Sequence, residues 1–281
     1  MKTLITSLLL AFCLISYTQE IPLATFENFS SFKKSTTYFV KSDRPFNFFN
    51  TYMIEDLEKV WKITPYKVIS SADFADLSKN KENSFIFISE IIKEEGKKFA
   101  HWDLLNITMG SKLGSKSMNT MPDLGSMPLC YVSDDDDDED AYLYKLAGFL
   151  RFFQYYINYN LQNKLTDIKN MVKENKSKLA SKELWLIKED LAPEVNTIDK
   201  IKKYYSGKVK IVSKESIREA IHNANENVVF LHNIEPKDAN GKWCLKILLA
   251  AADGCPIYYN ITTVKDLNKK GFSIADFKAL N

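Results

Sequence analysis

Beyond its first residues the chain has no apolar run approaching the roughly 20 residues that a membrane-spanning helix needs. Histidine is scarce: His101, His222 and His232 lie in different segments, none with a companion four residues on, which excludes a helical zinc pair. The few cysteines include no two at redox-motif or metal-ligand spacing. There is no Gly-x-Ser-x-Gly elbow, and no cysteine has the setting of a catalytic nucleophile. An excess of one charge is also missing. The 38 basic and 36 acidic side chains leave +2, so no global field draws nucleic acid or an anionic lipid surface. These absences lead to the expectation of a chain that spans no membrane, binds no nucleic acid and carries neither cofactor nor metal.

The chain begins with a leader. Lys2 precedes an apolar run from Leu4 to Ile15, followed by Ser16-Tyr17-Thr18 and Gln19. A basic start, a short apolar core and small residues before the cut define a secretory signal peptide over residues 1–18. Cys13 raises the possibility of a lipoprotein, but Phe12 is bulky where lipid attachment needs a small residue. The leader predicts export from a Gram-negative bacterium, to the periplasm or beyond. Removing it leaves Cys130, Cys244 and Cys255. Cys244 and Cys255 could bridge within a hairpin in an oxidising compartment; the alternative is that all three are small buried hydrophobes.

The chain also repeats itself. Residues 66–91, YKVISSADFADLSKNKENSFIFISEI, align without a gap to residues 209–234, VKIVSKESIREAIHNANENVVFLHNI, and the strand ending at Lys41 has its match ending at Lys188. Each copy reads as β-α-β-α-β followed by a hairpin or meander. The fold class is therefore α/β (α+β), with two similar lobes over 19–141 and 179–281 joined by a helical segment over 142–178. In the first copy, Tyr38–Lys41, Tyr66–Ile69, Ser84–Ile88 and Ala100–Met109 read as strands, with a charged turn at Lys93–Lys97 and a fifth strand at Leu129–Val132. The second copy places strands at Leu184–Lys188, Val209–Val212, Val228–Leu231, Trp243–Ala250 and Pro256–Asn260, with hairpin turns at Asn240-Gly241 and Asp253-Gly254.

Three segments break the symmetry. Gly110 to Pro128 reads as a solvated loop, its glycines one residue short of a phosphate-binding loop. From Tyr142 to about Glu174 an apolar stripe through Leu146, Leu150, Phe153, Ile157, Leu161 and Leu165 predicts one long helix. Phe149 and Tyr159 widen that stripe until it has to be buried between the copies or against a partner. The seven acids of 134–140 lack the alternation and glycine of a calcium loop, and read as a solvated run placing negative charge at the start of the next helix.

The candidate site residues come from the repeat. Asp43 and Asp190 each follow the first strand of a copy, where α/β sheets bind ligands, although an aspartate there also starts turns. Trp102 and Trp243 also match between copies and are either a ligand platform or core. The element order, with its closing Ala252-Asp253-Gly254-Cys255-Pro256-Ile257-Tyr258, resembles the N-terminal domain of TolB and is similar to the periplasmic domain of the curli-secretion lipoprotein family. That resemblance implies a non-catalytic protein that docks to an envelope partner or to itself. The alternatives are a hydrolase using Asp43 or Asp190 as acid or base, and a small-molecule binder using the cleft between lobes.

Overall fold

The computed structural model describes residues 23–44, 48–96, 98–132, 139–163, 165–236, 242–264 and 270–281. The leader, the hairpin turn at Asn240-Gly241 and most of the acidic run lie outside the described residues. The first lobe comprises α1 (Phe26–Phe32), β1 (Thr36–Val40), α2 (Phe49–Val60), β2 (Tyr66–Ile69), α3 (Ser71–Leu77), β3 (Asn83–Glu95), β4 (Lys98–Met109) and β5 (Asp123–Tyr131). After α4 (Leu146–Gln162) and α5 (Ile168–Asn175) come β6 (Glu183–Leu186), α6 (Ile198–Ile201), β7 (Lys208–Ile211), α7 (Lys214–His222), β8 (Val228–Ile234), β9 (Trp243–Ala250), β10 (Pro256–Thr263) and α8 (Ile274–Leu280).

The duplication is visible in the topology. One sheet runs β2-β1-β3-β4-β5 and the other β7-β6-β8-β9-β10, each with three parallel strands followed by two antiparallel ones. Local chemistry starts the helices as read. Ser70 caps α3 in a reciprocal pair with Asp73, and Ser213 caps α7. Phe49, Met53, Leu57 and Val60 give α2 the buried stripe that their spacing predicts.

The expected single long helix is two. Helix α4 ends at Gln162 because polar side chains take over the backbone. Asn163 Nδ2 donates to the Tyr159 carbonyl, Asn160 Oδ1 accepts from Thr166 N, and Asp167 caps α5 through Asn170 N. Leu165, expected on the buried stripe, is exposed instead. The charged turn expected near Lys93–Lys97 is present but tighter, since β3 and β4 stay paired out to Glu95 and Lys98 around Gly96. The segment expected as a solvated loop over 110–128 is built. Its middle folds as a short 3₁₀ turn against α3, and β5 begins at Asp123. Glu139, at the end of the acidic run, accepts from Phe48 N at the start of α2 rather than serving the helix that follows it.

Helix α4 lies between the two sheets. Phe149, Leu150, Phe153 and Ile157 are all buried in one core that includes Ile107 and Leu124 of the first lobe and Phe230, Ile247 and Leu249 of the second. A side chain at Gly148 would stand 2.5 Å from the Phe230 ring, and one at Gly254 would meet the Phe152 backbone nitrogen at 2.1 Å. A second core lies under α6 and α8, where Leu231, Leu248, Ile257, Phe272 and Phe277 pack. Lys246 and Asp276 hold α8 down, 2.8 Å apart, and Tyr258 and Asn260 donate to the same carboxylate. Cys130, Cys244 and Cys255 are buried. Cys244 pairs across the hairpin with Thr262, while Cys255 precedes the first residue of β10, so the two sit at opposite ends of the hairpin and cannot bridge.

Gly254 adopts φ +73° against the α4 backbone, whereas Gly96 adopts φ +61° in open space. We expect Gly254→Ala to cost about 3 kcal/mol or more and Gly96→Ala about 1 kcal/mol, read from urea unfolding midpoints. Equal losses would show that close packing on α4 contributes nothing at Gly254.

Candidate functional site

The lobes touch along a line of aromatic side chains. Trp102 and Leu104 of β4 pack with Trp243 and Leu245 of β9 and with Ile234 of β8. Tyr131 of β5 donates its hydroxyl to the Trp243 carbonyl, and the ring of Tyr131 meets that of Trp102 edge-on. The two tryptophans matched by the repeat are thus brought together by the fold, and among the described residues neither indole N–H has an acceptor. Burying an unbonded donor is unfavourable, which makes the pair unusual for simple core.

On one side of this line the sheets are held apart by α4, and a groove of about 390 Å³ opens between them. Its walls come from both lobes: Trp102, Leu104 and Met127 face Leu245, Ile247, Tyr259 and Ile261, with Phe152 and Tyr156 of α4 and Ile168 of α5 closing the side. The lining is apolar except at its ends. Strand register places Lys93 opposite Ala100, next to Trp102, and Asp123 opposite Thr108. One end is therefore basic and the other, with Asp123 and Asp167, acidic. The acids have structural partners. Asp123 accepts from Gly125 N and Ser126 Oγ, and burial pushes its carboxyl above the usual range.

Lys93 has a different setting. Its ammonium lies 4.3 Å from the centre of the Trp243 ring, with that of Lys98 4.7 Å from the same ring. Among the described residues no carboxylate lies within ion-pair distance of Lys93, whereas Lys98 has Glu95 at 3.5 Å. A larger cleft of about 750 Å³ runs between α1 and residues 109–113. Its charged lining, Glu27, Lys34, Lys81, Glu82 and Lys112, is exposed and mixed in sign, as expected of an ordinary solvated surface.

The paired aspartates part company. Asp43 is exposed. Asp190 is largely buried, with its Oδ2 3.7 Å from Nζ of the fully buried Lys145, beyond hydrogen-bond reach. Burial raises the Asp190 carboxyl and lowers the Lys145 ammonium, each against the pull of the other charge. Neither aspartate lines the groove. The three histidines are also apart. His101 meets Glu90, while His222 of α7 bonds the buried Asp56 of α2 at 2.8 Å as a link between lobes. Nε2 of His232 donates to the Pro128 carbonyl of β5 at 2.8 Å, a second interlobe link beneath the groove. Among the described residues no group of three or more His, Cys, Asp or Glu side chains converges as a metal site.

The residues that sequence reading missed are Lys93, Met127, Tyr259 and Ile261. The signal available for them was alternation: Ile91 and Lys93 share the face of Trp102, as Ile261 shares that of Leu245.

His232 gives the junction a pH dependence. Burial first, and the nearby Lys145 charge second, hold its pKa well below the ordinary 6.5. The unfolded imidazole gains a proton as pH falls through 6.5 while the folded one does not. Its stabilising contribution is therefore complete above that pH and is lost progressively below it. The urea midpoint should fall between about pH 7.5 and about pH 5, and His232→Gln, which keeps an N–H donor, should flatten that fall. An unchanged slope in H232Q would assign the effect elsewhere. No protein-family model, curated protein or solved structure matches this chain.

Proposed function

We propose that this chain is an exported, non-catalytic binding protein that holds an apolar ligand in the groove between its two lobes. The observation that carries this reading is a concave, apolar site built from both sheets and α4. The leader at residues 1–18 supports export. Among the described residues no helix is long and apolar enough to cross a membrane.

The two other readings have weaker support. A hydrolase using Asp43 or Asp190 would need one of them at the cleft, and neither lines it. Docking to an envelope partner or a second copy, as the resemblance to TolB and curli-secretion domains implies, would use the broad aromatic face from Phe149 to Tyr159. Most of that face is packed in the core between the sheets. Within the groove, Ser126 donates to Asp123 and Asn106, with no histidine among the lining residues to act as its base.

The test is binding of N-phenyl-1-naphthylamine, a neutral apolar dye that brightens when removed from water. The native chain should enhance its emission. Ile261→Trp, at a half-buried position on an edge strand, should fill the groove and cut the enhancement at least fivefold while moving the melting midpoint by less than about 3 °C. No enhancement with the native chain, or full enhancement with I261W, would overturn the reading.

A further inference from the structure

The groove differs at its two ends, and the difference selects a ligand. Lys93 stands at the end marked by Trp102 and Trp243, without a carboxylate partner among the described residues. Its ammonium is held over the Trp243 ring together with that of Lys98. Two cations at one aromatic ring repel each other, so an anion placed beside Lys93 lessens that repulsion as well as pairing a charge. Trp102, on the same face of the sheet, brings a buried indole N–H that lacks an acceptor. An anionic oxygen beside Lys93 supplies the partner its ammonium lacks. At the far end stand two carboxyl groups, Asp123 and Asp167, already engaged in a turn and a helix cap. Between the ends the wall is continuous apolar surface from Leu104 and Met127 to Ile247 and Ile261. Eight residue steps of β4 separate the partners of Lys93 and Asp123, roughly 27 Å at about 3.4 Å per residue.

We propose that the groove takes a single-chain amphiphile with a carboxylate head, the head at Lys93 and the alkyl tail running between the lobes toward Asp123. This inference rests on the groove being a binding site and adds its ligand chemistry and orientation. A cationic head at the Lys93 end meets its ammonium group, and an uncharged one leaves Lys93 unpaired. A reversed carboxylate meets Asp123 and Asp167. Only one orientation of one head-group charge satisfies both ends.

Isothermal titration of the full chain with decanoate, decanol and decylammonium, each below its micelle-forming concentration, tests this at neutral pH and low salt. Decanoate should bind at least tenfold more tightly than decanol, and decylammonium more weakly than decanol. The decanoate preference should shrink as salt is added. Lys93→Glu lies on a half-exposed side chain that makes no ion pair among the described residues, so the fold should be kept. It should weaken decanoate at least tenfold while leaving decanol within twofold. Equal affinity for acid and alcohol, or a decanoate preference that survives in K93E, overturns the head-group assignment and leaves the apolar groove standing. Failure of all three to bind while the naphthylamine dye still does also overturns it. Failure of the dye as well would remove the groove reading itself.

Discussion

One helix buried on two sides is the constraint on which the rest of the molecule depends. Helix α4 follows the last strand of the first lobe, and its residues pack into a core shared by both lobes. For two sheets to close on a helix of roughly 10 Å diameter, some contacts have to be made by backbone rather than side chain. Gly148 meets the ring of Phe230, and the turn at Gly254 meets the α4 backbone. The sheets then touch along Trp102 and Trp243 on one side and stand apart on the other. The groove is the space this geometry leaves. It is therefore a consequence of how the core is packed, and its walls have the rigidity of that core.

The elements that sequence reading recovers are those set by short-range pattern. The succession of strands and helices follows from the repeat, whereas the order of strands within each sheet is seen only in the structure. The matched tryptophans meet because equivalent hairpin faces pack on each other. What escapes it depends on competition or docking. The apolar stripe of 142–174 is continuous, but Asn160, Asn163 and Asp167 offer the backbone better partners than another helical turn. Lys93 and its acidic neighbours look like a turn because charge favours solvent. Pairing with β4 outweighs that preference and keeps them in a strand that extends past the body of the sheet. No local pattern states that this strand borders a groove completed by residues more than a hundred positions later.

The duplication is exact in strand order and unequal in use. Asp43 and Asp190 occupy corresponding places after the first strand of each lobe. One faces solvent, and the other is shut in beside Lys145 because the segment leading into α4 passes over it. The interlobe links are equally one-sided: His222 and Arg218 of α7 reach Asp56 of α2, and His232 of β8 reaches the Pro128 carbonyl of β5. Two copies of one unit that simply lay side by side would each keep a solvated site. Sharing a helix gives up that equivalence in return for a single cleft lined by both.

The position of α4 in the chain has a consequence for biosynthesis. The helix leaves the ribosome after the first sheet and before any strand of the second, so its outer face has no partner until β8 and β9 have been made. The first lobe can condense early, with Phe149 and Leu150 still open to water and prone to sticking to other chains. Completing the molecule requires contacts distant along the chain, a slow event compared with local helix formation.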